Sequence, residues 1–188
     1  MIYLIYPRSK KVRTDTMVFG QTIDINQNSP ASEESPKGPD FHNEISLKPV
    51  NVWQALKEVI DICSPDLDQH SIELRLKIPK TFELITCPHF LMQILINLIS
   101  NACSSVNGLF ERWIEVAISE SASGPVISIS DSSDSNEGVS RSLTHEMGGS
   151  GMAVDVSRQI ASALGGELYL NCQESHTEFI LRLPVSLH

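Results

Sequence analysis

Two asparagines one helical turn apart, Asn97 and Asn101, stand in the segment CPHFLMQILINLISNACSSV, residues 87–106. Between Pro88 and Phe110 there is no Lys, Arg, Asp or Glu. At ~100° per residue, Leu91, Leu95, Leu98, Ala102 and Val106 form an apolar wall, and Gln93, Asn97, Ser100, Asn101 and Ser104 share the remaining arc. That arc is polar but uncharged. Asparagine is a poor helix former, so two of them in mid-helix on adjacent turns need a reason. Carboxamides supply one: their oxygens suit a cation and their NH₂ groups suit phosphate or ribose. The plainer alternative is a polar helix edge with no ligand. A second chemical group is Asp131, which ends the alternating run PVISISD; a carboxylate at the floor of an apolar pocket selects an exocyclic amine, because an analogue without that donor leaves a buried acceptor unpaired. Its bland counterpart is a strand-end turn residue. A third is Gly149-Ser150-Gly151, which opens a helical pattern; glycines at a helix start expose backbone N–H groups to a phosphate and allow close approach. A flexible tether would carry the same glycines.

The chain's 188 residues suffice for one good core and fall short of two comfortable domains. A net charge of -9 argues against broad electrostatic attraction to nucleic acid or to an anionic membrane surface. Cys63, Cys87, Cys103 and Cys172 are scattered among apolar neighbours with no Cys-x-x-Cys pair, which fits buried thiols in a reducing cytoplasm. The opening MIYLIYP is too short for a membrane span and lacks the basic start of a signal peptide. Residues 1–43 read as an extension: early apolar runs that either pair as strands or anchor to a partner, then a Pro-, Ser- and Glu-rich linker over residues 26–40.

The elements that must position these groups follow from periodicity. In ISLKPVNV, Pro49 marks an edge or strand end. Asn51 is an N-cap candidate for a helix carrying Val52, Ala55, Leu56, Val59, Ile60 and Cys63, expected to stop at Pro65. SIELRLKIP alternates as a half-buried strand and FELIT is a short one. The Asn helix ends near Asn107-Gly108. WIEVAIS and PVISISD form an antiparallel hairpin. Residues 132–150 are a long polar loop, of the kind that is functional or disordered. The last helix is expected to turn Met152, Val156, Ile160 and Ala163 inward and to end at Gly165-Gly166, before the strands ELYLNCQ and TEFILRLP. The sum is an α+β two-layer sandwich, with a mixed sheet of five to seven strands covered on one face by three helices.

From about Glu44 to Pro184 the sequence resembles the catalytic and ATP-binding domain of sensor histidine kinases, within the Bergerat-type ATPase superfamily. QILINLISNA is similar to the N-box, with Asn97 and Asn101 at its two asparagines; ISISD is similar to the strand entering the first glycine box, with Asp131 at the adenine-binding aspartate. GGSGMAVDVSRQIASALGG is similar to the second glycine box, which places Gly149, Ser150 and Gly151 beside the phosphates. The resemblance implies ATP as substrate and Mg²⁺ held by Asn101 with Asn97 assisting. It also implies, as partner, a phosphoacceptor histidine domain or a response regulator.

Departures from the family pattern are specific. The first glycine box, Asp-x-Gly-x-Gly in the family, is here Asp131-Ser132-Ser133-Asp134-Ser135, with serine at both glycine positions. Such a serine either narrows the pocket or, if φ is positive, strains the backbone by about 1–3 kcal/mol. Ser104 replaces a basic phosphate contact, Ala153 replaces a third glycine, and Arg141 is the one lid residue able to pair with a γ-phosphate. His42 lies between Pro39 and Pro49, too close to both for a phosphoacceptor helix. Two functions remain open: a kinase domain that phosphorylates a histidine elsewhere, or a degenerate relative retained as a docking module in a phosphorelay. A serine kinase of the anti-sigma-factor type fits less well, since that branch carries Glu at the position of Asn97.

Overall fold

The computed structural model describes residues 4–5, 45–121, 124–133, 150–173 and 176–184. In chain order the elements are β1 Leu4–Ile5, β2 Lys48–Asn51, α1 Val52–Gln69, β3 Glu73–Lys77, β4 Glu83–Thr86, α2 Pro88–Val106, β5 Trp113–Ser121, β6 Gly124–Asp131, α3 Ser150–Ala163, β7 Glu167–Gln173 and β8 His176–Arg182. The main sheet has six strands in the order β1-β3-β5-β6-β8-β7. It is mixed, because β3 and β5 run parallel while the other pairs are antiparallel. The α+β sandwich expected from periodicity is therefore what the chain forms.

One face of the sheet is apolar. Leu74, Leu76, Ile114, Val116, Ile127, Ile129, Phe179 and Leu181 alternate inward along four strands and are buried, as period-two patterning requires. Against them lies α2, flanked by α1 and α3. Its wall of Leu91, Leu95, Leu98, Ala102 and Val106 is shut off from solvent. By length and composition alone α2 could cross a membrane, with 19 residues and a mean hydropathy of 1.2, but here those side chains form the core. The hairpin of β5 and β6 pairs Ile114 with Asp131 at one end and Ser121 with Gly124 at the other.

Two expectations are corrected. Helix α1 does not stop at Pro65 but runs through it to Gln69. Proline cannot donate to the Asp61 carbonyl one turn back, and the Ser64 hydroxyl does so instead at 2.9 Å, while Leu67 buries the final turn. In α3 the inward face is Val154, Ser157, Ile160 and Ala161, continued by Leu164 just past its end, with Met152 72% exposed and Val156 and Ala163 only half-buried. FELIT is a short strand as expected, and β4 pairs with β2 in a separate two-stranded sheet, where Pro49 takes an edge position.

Other expectations hold. Asn51 caps α1 by accepting from the Gln54 amide at 3.0 Å. Gly165, at φ 74°, ends α3, and a Cβ on Gly166 would lie 2.2 Å from the Arg182 carbonyl oxygen, so the chain must be bare there to meet β8. Of the two early apolar runs, Leu4-Ile5 pairs with the outer edge of β3. The run MVFGQTIDI, the 26–40 linker and His42 lie outside the described residues.

Candidate functional site

Because α2 is the middle helix, it touches every part of the site. Asn97 faces α3: its Nδ2 donates to the Ala153 carbonyl at 3.1 Å and to the Ser157 hydroxyl oxygen at 3.0 Å. The Gln93 side chain, one turn earlier, donates to the Asn97 oxygen at 2.8 Å. Asn97 thus fastens α2 to the first turns of α3. Ser157 is fully buried because that bond and another to Ala153 satisfy it. Periodicity did not single out Ser157, since a lone serine in a helical pattern gives no sign of its partner.

Asn101 is different. It is 4% exposed, and no acceptor among the described residues reaches its Nδ2. Leaving a buried donor unpaired costs about 1–3 kcal/mol, so such a group calls for an explanation. Two residues further, Cys103 is buried and its thiol is pushed up to about 12, first by burial, then by Cys63 and Asp66, with a contribution from Asp131. The C-terminal half of α2 therefore lies within electrostatic reach of the end of β6.

Asp131 is fully buried at that strand end. Its Oδ1 accepts from the Ser133 backbone N–H at 2.9 Å and, in a very short bond, from the Ser133 hydroxyl. Its Oδ2 receives no hydrogen bond from any described residue. Burial pushes the carboxyl up from 3.8 to about 6, while the two Ser133 bonds and the nearby His176 pull it down by less. Thr177 stands directly across from Asp131 in the β6–β8 register and is 1% exposed. It donates to the Ser133 carbonyl at 3.3 Å and lies 3.1 Å from the Ser133 hydroxyl, which locks the turn. Ser132 secures the same turn from the other side, its hydroxyl donating to Glu111 O at 2.8 Å and accepting from the Trp113 amide at 3.2 Å.

Ser133 was expected either to strain the backbone or to narrow the pocket. Among the described residues the one non-glycine with positive φ is Ser71, so Ser133 pays no left-handed penalty and acts through its hydroxyl. Sequence reasoning missed Thr177, whose part depends on strand register, and Ser157. Of the residues singled out, the fold sets Asn97 against the first turns of α3, at Ala153 and Ser157, and brings Asp131 within electrostatic reach of Cys103 on α2. Gly149, Arg141 and Ser135 lie outside the described residues.

Residues 86–187, more than half of the chain, match the family model described as histidine kinase-, DNA gyrase B-, and HSP90-like ATPase. The chain belongs to this ATPase family. Solved structures agree in fold with the histidine kinase branch. Over 77% of this chain and 70% of the other, it is similar to the Acinetobacter baumannii histidine kinase AdeS, with a TM-score of 0.63 at 17% identity. It is similar to the catalytic domain of the histidine kinase ThkA in a nucleotide-free form, over 74% of this chain and 96% of the other, with a TM-score of 0.62 at 17% identity. It is also similar to full-length ShkA in complex with AMPPNP, over 77% of this chain but 32% of the other, with a TM-score of 0.62 at 21% identity. A comparison with curated proteins finds no match.

Within this ATPase-family fold, the two orphaned polar atoms suit a nucleotide. Asp131 Oδ2 and Asn101 Nδ2 are buried polar atoms without partners among the described residues, which is what an amine donor on one side and an oxygen acceptor on the other would relieve. Uncharged carboxamides can hold Mg²⁺ without neutralising the charge it presents to phosphate. Asn97 fits that part only if Gln93 releases its oxygen. Replacing Asn97 with Ala is expected to cost about 1–2 kcal/mol in urea unfolding, since it deletes the bonds between α2 and α3; an unchanged midpoint would mean that those bonds do not hold the helices together.

Proposed function

We propose that this chain is the ATP-binding catalytic domain of a two-component sensor histidine kinase, transferring the γ-phosphoryl group of ATP to a histidine on another segment or another protein. The observation that carries this reading is Asp131, fully buried with one oxygen unpaired among the described residues. A carboxylate in that state is unfavourable in the empty protein and is relieved by an exocyclic amine. Asn101 would hold Mg²⁺, whose chemistry when bound is to offset charge on the phosphates. Asn97 keeps α2 and α3 in register, and the N–H groups at the start of α3, left without helical partners, would meet phosphate. The protein supplies positioning and charge compensation. The nucleophile is an imidazole nitrogen brought by the partner, which bonds to the γ-phosphorus as the bond to the ADP oxygen breaks.

A phosphoacceptor histidine domain or a response regulator is the class of partner this function needs. The histidine kinase ThkA, of the same fold, has a structure in complex with the response regulator TrrA, with a TM-score of 0.60 at 16% identity over 76% of this chain and 42% of that one. A cytoplasmic location goes with such a partner.

One observation favours the second reading, a degenerate domain kept for docking: Ser133 occupies one side of Asp131 and Gln93 occupies Asn97. Thermal unfolding with an ATP analogue and Mg²⁺ separates the two. Saturating ligand at about 100 times Kd should add about 2.7 kcal/mol, a rise of roughly 5–10 °C. No shift at millimolar ligand would select the docking module.

A further inference from the structure

We propose that the free edge of β4 is a docking site that takes an extended, basic segment of a partner protein as an added strand. The β2–β4 register and one further bond fix which way the backbone of β4 points. Val52 N donates to the Phe82 carbonyl at 3.1 Å, and in the same register Val50 faces Leu84 and Lys48 faces Thr86. In an antiparallel ladder hydrogen-bonded pairs alternate with pairs that are not, so those three are the bonded ones. Glu83 and Ile85, opposite Asn51 and Pro49, therefore turn their N–H and C=O groups away from β2. Pro49 agrees with this phase, because proline has no N–H to give and is tolerated where the ladder needs none. The small sheet has two strands, which leaves the Glu83 and Ile85 backbone on an open edge among the described residues.

That edge borders a groove of about 490 Å³ between β4 and the end of the β5–β6 hairpin. The hairpin wall is closed on itself, since the Ser121 hydroxyl donates to Gly124 O at 2.7 Å. β3 stops opposite Ala117 while β5 runs on through Ile118, Ser119 and Glu120, which keeps the gap clear of the main sheet. Phe82, Leu84 and Pro125 make the groove apolar, and Ile85, also lining it, is 50% exposed. Glu83 and Glu120 are exposed at its sides, neither has an ion pair among the described residues, and no lysine or arginine is part of the lining. Open backbone on a strand edge recruits an extended chain, and an apolar groove with two carboxylates selects one that alternates apolar and basic side chains. Asp131 lies at the other end of β6 from Gly124, so this groove stands apart from the nucleotide site.

The probe is a fluorescently labelled ten-residue peptide of alternating valine and lysine, titrated against the full chain by anisotropy. Saturable binding is expected, and the same peptide with glutamate in place of lysine should not bind. Glu83→Lys combined with Glu120→Lys should weaken the lysine peptide roughly tenfold. Ile85→Pro should do the same by deleting one edge N–H, at a position where proline costs the ladder with β2 no bond. The charge variant, confined to exposed side chains, carries the test if Ile85→Pro folds poorly. Failure of the lysine peptide to bind, or equal binding by the wild-type protein and either folded variant, overturns the proposal. Dimerisation that the charge variant abolishes, without peptide binding, would give the groove to a second copy of the chain. Peptide binding seen only after Arg8, Lys10, Lys11 and Arg13 are changed to serine would give it to the chain's own basic stretch. Either result overturns a partner's strand as the occupant.

Discussion

Replacing Asp131 with Asn is expected to stabilise the ligand-free protein at pH 7–8 and to abolish nucleotide binding at once. The carboxyl titrates near 6 in the folded chain against 3.8 as its reference, chiefly because burial disfavours the charged form. With the folded value raised, the native state holds the proton more tightly than the unfolded state between those limits. Its contribution to stability is therefore complete below about pH 4 and is lost as pH rises through 6. By pH 7 the loss approaches ~3 kcal/mol. Asparagine carries no charge, keeps an oxygen for the Ser133 N–H and hydroxyl, and places an unpaired NH₂ where Oδ2 was, so a net gain of about 1–2 kcal/mol is expected. Urea unfolding at pH 4.5 and pH 7.5 checks this: the wild-type protein should lose stability relative to Asp131→Asn across that range. A variant less stable at both pH values would mean that the carboxylate is satisfied in the fold and has no ligand to wait for.

Asn101→Ala should give the complementary result. Its Nδ2 is buried without an acceptor among the described residues, so truncation removes an unpaired group along with some packing, and stability should move by less than about 1 kcal/mol. Binding of ATP with Mg²⁺ should weaken roughly 10- to 100-fold, the worth of one interaction with a charged group. The Mg²⁺ dependence of affinity should shrink with it. The contrast with Asn97→Ala is informative, because two asparagines one turn apart then differ in kind: Asn97 holds α2 to α3, and Asn101 is held ready. Equal losses of stability in both variants would contradict that division.

How legible was this in the sequence? The α2 wall was, since five apolar residues at helical spacing with no charge nearby can only face a core, and all five are buried. The β5–β6 hairpin was too, because alternation and a turn signal specify a register that ends on Asp131. Less visible was anything that depends on a polar partner far along the chain. Pro65 misled because the remedy, the Ser64 hydroxyl on the Asp61 carbonyl, lies outside any proline rule. The inward face of α3 was misplaced because Ser157 is buried for its bond to Asn97, 60 residues earlier, and not for its apolarity. In the site, Asp131 and both asparagines stood out by type and spacing. The different duties of those asparagines and the pairing of Thr177 with Ser133 emerge only when β8 is laid against β6 and α3 against α2.

The central claim is that Asp131, Asn101 and the start of α3 serve one nucleotide. A crystal structure of the full chain with a non-hydrolysable ATP analogue and Mg²⁺ tests it most directly. The account predicts an adenine amine within hydrogen-bond distance of Asp131 Oδ2, with the metal at Asn101 and phosphate at the first turn of α3. An analogue bound in another cleft, with Asp131 still closed over by side chains, would contradict it.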